Sequence, residues 1–112
     1  NIQSTIIKLK KTNIIKSFYF FPYYKNTNKI KKNRFINGIT SYRNIHERQN
    51  DDYAKQNNYK VIAMRTFGGN NKILKQSNLK RLLMFNLNSR IVKKIIVGAN
   101  NKTQLDQLLK AC

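Results

Sequence analysis

The run VIAMRTFGGNNKILKQSNLKRLL, residues 61–83, passes from a β-rich stretch through Gly68-Gly69 into a helix-forming stretch. Phosphate-binding loops are built in that order, so nucleotide chemistry is the first thing to test. A Walker loop needs Gly-x-x-x-x-Gly-Lys-[Ser/Thr], which puts the Lys on the terminal phosphates and the hydroxyl on magnesium. Gly68-Gly69-Asn70-Asn71-Lys72 has neither the spacing nor the hydroxyl. A dinucleotide fingerprint needs Gly-x-Gly-x-x-Gly and a later acid for the ribose, and both are missing. The glycines keep a conformational role, supplying φ > 0 at a tight turn. The helix N-terminus beyond them offers a partner to one RNA phosphate at most.

The remaining reactive residues are few. His46 sits in a polar stretch beside Glu47 and Arg48, and acid–base work by His needs an oriented partner and a pocket. Asp51 and Asp52 are adjacent, which suits a solvated turn or a contact to a basic neighbour better than a metal site. Cys112 is the single cysteine, so an internal disulfide is excluded and one His cannot complete a zinc site with it. Four acids, one His and one Cys do not furnish a catalytic constellation. The expectation is a protein that is not an enzyme, with no cofactor, no metal and no small-molecule substrate.

Charge points elsewhere. The 112 residues carry 23 Lys and Arg against four acids, a net charge of +19. Such an excess repels itself in a compact fold and is relieved by a polyanion, whose bound counterions are released on contact. Anionic membrane surfaces are the second candidate partner. Asn, Lys and Ile dominate the chain, as an AT-rich genome would dictate, but that bias does not remove acids. Ten basic residues precede the first acid, Glu47. Acid-poor, basic N-terminal segments belong to mitochondrial transit peptides and also to ribosomal-protein extensions. The basic residues cluster in KLKK (Lys8–Lys11) and NKIKKNR (Asn28–Arg34), with FYFFPYYKN between them. Aromatic rings among lysines stack on unpaired bases while the lysines neutralise phosphate; the competing role is to anchor the segment in a groove of another protein. The candidate RNA-binding residues are Lys8, Lys10, Lys11, Lys16, Lys25, Lys29, Lys31, Lys32, Arg34 and Arg43, with Tyr23 and Tyr24.

The elements that would position these residues divide the chain in two. Residues 1–58 read as a basic extension and loop, largely irregular, with room for one short strand over 34–42 where Gly38 marks a bulge or close approach. Ordering that segment is expected to need a partner. Asn44–Asn58, with three of the four acids, reads as a loop. Residues 59–112 read β-α-β-α: YKVIAMRTF, a helix capped by Asn70 or Asn71, SRIVKKIIV, and a last helix. Leu74, Leu79, Leu82 and Leu83 would line the first helix, and Leu105, Leu108, Leu109 and Cys112 the second. Asn101 and Gln104 have capping-box spacing. The fold class expected is α+β, a small two-layer sandwich with an extended basic N-terminal segment. No run approaches the ~18 apolar residues of a membrane span.

Residues 59–112 resemble the mitochondrial large-subunit ribosomal protein forty-nine family, whose domain is similar to that of translation initiation factor one. The resemblance is carried by Ala63-Met64-Arg65, Gly69-Asn70, Leu74, the LKRLL end, and IIVGANNKTQLDQLLKAC with its Leu105, Leu108 and Leu109. The family's Pro-Val-Tyr strand, which precedes a Gly-containing hairpin, is echoed here only by Asp52-Tyr53. The resemblance implies a structural component of the mitochondrial ribosome's large subunit in the matrix, with ribosomal RNA and other mitochondrial ribosomal proteins as partners. Three alternatives stand beside it. One is an initiation-factor-like binder of the small subunit. Another is a small-subunit ribosomal protein, since GANNKTQ is similar to the end of protein eighteen. The third is an accessory subunit of a mitochondrial membrane complex, with SFYFFPYY at the lipid interface.

Overall fold

The computed structural model describes residues 1–23, 32–68 and 76–112. Its elements are α1 (Ile2–Lys11), β1 (Tyr19–Phe20), β2 (Gly38–Tyr42), α2 (Asp51–Gln56), β3 (Lys60–Met64), α3 (Gln76–Leu87), β4 (Val92–Ile95) and α4 (Lys102–Ala111). The strands form one sheet in the order β1-β2-β3-β4, and every pairing is parallel. The molecule is therefore a mixed α/β fold on a parallel sheet. Parallel neighbours need crossover connections, and α2 and α3 lie in those between β2 and β3 and between β3 and β4.

In residues 1–58, β2 falls within the 34–42 run read as a short strand, and three further elements, α1, β1 and α2, stand beside it. The segment thus holds half the sheet. Local chemistry starts α1: Asn1 is its N-cap, and Asn1 Oδ1 accepts from the Ser4 N–H at 2.9 Å. Lys8, Lys10 and Lys11 occupy its last turn, where the helix dipole favours cations. The strands are ordered by contacts that composition cannot register. Ile39 of β2 is fully buried and packs with Tyr53, Ala54, Tyr59 and Val61, with Phe20, Ile36, Ile91 and Val92 at the margin. Phe20, Tyr53 and Tyr59 meet edge to face at centroid distances of 6.0–6.5 Å, a favoured aromatic geometry.

Asn44–Asn58 likewise contains a helix rather than only loop. Asp51 and Asp52 in the first turn of α2 suit the positive end of the helix dipole, and Tyr53 and Ala54 face the core. Asp52-Tyr53 is thus helical where the family resemblance calls for a strand. Pairings in the sheet are all parallel among the described residues, so the hairpin has no counterpart there.

At Gly38 the chains approach closely. A Cβ there would run into the Lys60 carbonyl and come within 2.6 Å of Tyr19 Cε1. Val61 pairs with Val92 and Ile62 with Lys94, so Lys93 is the extra residue of a bulge in β4. A bulge and two exposed lysines on an end strand discourage edge-to-edge pairing.

The second hydrophobic cluster joins Leu79 and Leu83 of α3 to Leu108 and Ala111 of α4, with Phe67 alongside. Leu82 is half-buried, and Leu74 lies outside the described residues. The expected apolar face of α4 is rotated: Leu108 and Ala111 are buried, while Leu105, Leu109 and Cys112 are exposed. Among the described residues, α3 packs on the Leu108 and Ala111 side of α4 and leaves Leu105 and Leu109 exposed. Asn101 caps α4, accepting from the Gln104 N–H at 2.9 Å. Gln104 Oε1 accepts at 2.7 Å from Asn100 N–H, one residue upstream of the reciprocal capping-box bond.

Candidate nucleic-acid interface

The structure brings the two basic clusters together. Lys10 Nζ donates to the Phe35 carbonyl at 2.7 Å and to Asn37 Oδ1 at 2.6 Å. Asn37 Oδ1 also accepts from the Phe18 N–H at 2.9 Å, and Tyr59 Oη accepts from Asn33 N–H at 2.9 Å. The two Lys10 bonds dock α1 on Phe35 and Asn37, while Phe18 and Tyr59 hold the same segment from outside α1. Between α1 and that segment, Gln3, Lys32, Asn33, Arg34 and Phe35 line an open groove of about 500 Å³. Lys8, Lys11, Lys16, Lys32 and Arg34 are exposed. The Arg34 guanidinium lies 4.9 Å from the centroid of Phe35. Lys10 is a partial exception, since its ammonium is the tether itself.

Arg43 has a different position from the one its sequence suggests. It is 6% exposed, and its guanidinium is engaged within the fold. Nε and Nη2 donate to Asp51 at 3.0 and 3.1 Å, and Nη1 donates to Asn86 Oδ1 at 2.7 Å. The ring of Phe85 covers it at 4.8 Å. A guanidinium so enclosed is withdrawn from phosphate contact. Lys25, Lys29, Lys31 and Tyr24 lie outside the described residues.

A further group gathers at the C-terminal edge of the sheet, where β1, β2 and β3 release their loops. Successive strand residues face opposite sides, so Phe20 enters the core while Phe21 does not. Phe21 meets Tyr42 at 5.1 Å and Tyr23 at 6.0 Å, centroid to centroid. Tyr23 is 75% exposed, Tyr42 40% and Phe21 37%. The Arg65 guanidinium sits 4.8 Å from the Tyr42 centroid and 3.6 Å from Glu47. Gly68, at φ +73°, closes a turn by donating its N–H to the Arg65 carbonyl at 2.8 Å. Gly69 and the expected caps Asn70 and Asn71 lie outside the described residues.

Phe21, Tyr42 and Arg65 lie outside the set of RNA-binding candidates that the sequence offers. Their only local signal is position, at the ends of β-rich runs. Two acids are engaged in ion pairs, Asp51 with Arg43 and Glu47 with Arg65. Asp52 and Asp106 remain exposed among a large excess of exposed Lys and Arg, including Lys80, Arg81, Arg90, Lys93 and Lys94. No group of His, Cys, Asp and Glu able to hold a metal occurs among the described residues. Nor, among them, is any helix long and apolar enough to cross a membrane.

The fold and its surface define a class: a small, strongly basic α/β protein. No known family model, curated protein or solved structure matches the chain.

Proposed function

We propose that the protein is a non-catalytic, RNA-binding component of a ribonucleoprotein. The observation that carries this reading is the docking of the KLKK end of α1, through Lys10, on Phe35 and Asn37, beside an open groove that exposed Lys32 and Arg34 line and that no acid among the described residues lines. Clustered cations neutralise neighbouring phosphates and release their counterions, which drives binding. In the same reading the fold has two layers. Right-handed crossovers between strands in sequence order carry α2 and α3 to one face of the sheet, leaving the other to a partner. Its place is the mitochondrial large ribosomal subunit, in the matrix, where it stabilises RNA and neighbouring proteins. The resemblance over residues 59–112 and their observed β-α-β-α order support that assignment; helical Asp52-Tyr53 departs from it.

Binding of the full chain to RNA, titrated across salt concentrations, tests the general reading. Reversing Lys8, Lys11, Lys32 and Arg34 to Glu should reduce the slope of log K against log salt by at least about 3, at ~0.7–0.9 per lost phosphate contact. An unchanged slope refutes it. Sedimentation of organelle lysates tests the address: co-migration with large subunits is expected, and a protein left at the top of the gradient excludes it.

A further inference from the structure

We propose that Phe21, Tyr23, Tyr42 and Arg65 form a stacking site for an unpaired RNA base. The proposal rests on the RNA-binding reading above and gives it a base contact remote from the groove. Tyr23, Phe21 and Tyr42 form a chain of rings, each in edge contact with the next. All three keep a third or more of their surface in water. The guanidinium of Arg65 terminates the chain against Tyr42. Unpaired bases stack on aromatic faces and on guanidinium planes, and the cation serves the adjoining phosphate.

The position of Arg65 is built. Its φ is +54°, a region that residues other than glycine seldom occupy. Its carbonyl is held by Gly68 N–H at 2.8 Å and by Asn44 Nδ2 at 3.0 Å, and its side chain by Glu47 and Tyr42. Backbone held in an unfavourable region by its surroundings is a mark of functional sites. The surroundings select the occupant. Glu47, the acid beside the rings, is paired with Arg65, and the chain as a whole carries a net charge of +19, so exposed rings on this basic surface suit the base of a polyanion.

The test uses the full chain, a single-stranded RNA and a blunt RNA duplex of equal length. Tyr23→Ala is the probe, because Tyr23 is largely in water and its ring contact among the described residues is with Phe21. Circular dichroism should show an unchanged fold. Base–aromatic stacking corresponds to roughly a 5- to 100-fold effect on Kd. Tyr23→Ala should therefore weaken single-strand binding by that factor, leave duplex binding within about twofold, and leave the salt slope unchanged. Tyr23→Phe, which keeps the ring, should bind like the parent. The site is overturned if Tyr23→Ala leaves single-strand binding intact, weakens both RNAs equally, or is matched by Tyr23→Phe. Steep salt dependence in the parent, with an indifferent Tyr23→Ala, removes this site and spares the electrostatic reading. A parent that binds neither RNA removes both.

Discussion

Asn86→Leu tests the buried polar cluster that ties α3 to the ends of β2 and β3. Asn86 has no exposed surface. Its Oδ1 accepts from Arg43 Nη1 at 2.7 Å, and its Nδ2 donates to the Arg43 carbonyl at 2.9 Å and to Thr66 Oγ1 at 3.1 Å. Leucine has the same branched heavy-atom skeleton, so the change removes three hydrogen bonds and puts two bulkier methyl groups in place of the amide oxygen and nitrogen. The Arg43 carbonyl and one guanidinium N–H are left buried without those partners, at about 1–3 kcal/mol each. The low end suits the guanidinium, because Asp51 still holds Nε and Nη2. A buried Leu side chain returns about 1.5 kcal/mol of apolar transfer energy. The net expected loss is about 2 kcal/mol, or a melting temperature lower by roughly 8 °C for a domain of this size. Urea unfolding and thermal melts followed by circular dichroism measure both quantities. Asn88→Leu, at an exposed position two residues on, should stay within about 0.5 kcal/mol. An Asn86→Leu protein that unfolds with the parent would refute the idea that the cluster contributes to stability.

Two more outcomes follow from the core. Gly38→Ala places a methyl group against the Lys60 carbonyl and the Tyr19 ring, so it should cost at least about 2 kcal/mol, while Gly98→Ala, with nothing within 4 Å, should be neutral; equal melting temperatures for the pair would contradict the close approach of β2 and β3. Burial, reinforced by neighbouring Tyr59, raises the Tyr53 hydroxyl above its usual 10.0. The unfolded chain therefore loses this proton first. The contribution is fully present below pH 10 and is lost as pH rises toward the folded value. Tyr53→Phe should flatten the alkaline fall in stability, and parallel pH curves for the two proteins would count against it.

The aromatic run shows how far local reading reaches. Its six rings announce contacts with bases, with a protein groove or with lipid, but nothing local says that one of them enters the protein's own core. In the fold, Phe20 goes to the protein's own core and Pro22 is buried, while Phe21 and Tyr23 stay outside. Alternation along β1 separates them, and β1 exists only because β2 pairs with it. Arg43 and Lys16 look equivalent in the chain. One is enclosed by Asp51 and Asn86, partners 8 and 43 residues away, and the other is exposed.

By itself, the sequence determined this protein's charge and the absence of familiar nucleotide loops, because these depend only on which residues are present and how they are spaced. It also determined the cap at Asn101, where a side chain bonds a backbone N–H three residues on. Only the tertiary structure decided the parallel pairing, the meeting of α1 with residues 32–37, the buried fate of Arg43 and the gathering of Tyr23, Phe21, Tyr42 and Arg65. Each of these rests on contacts between residues distant in the chain, and which side chain is covered is set by the element packed against it.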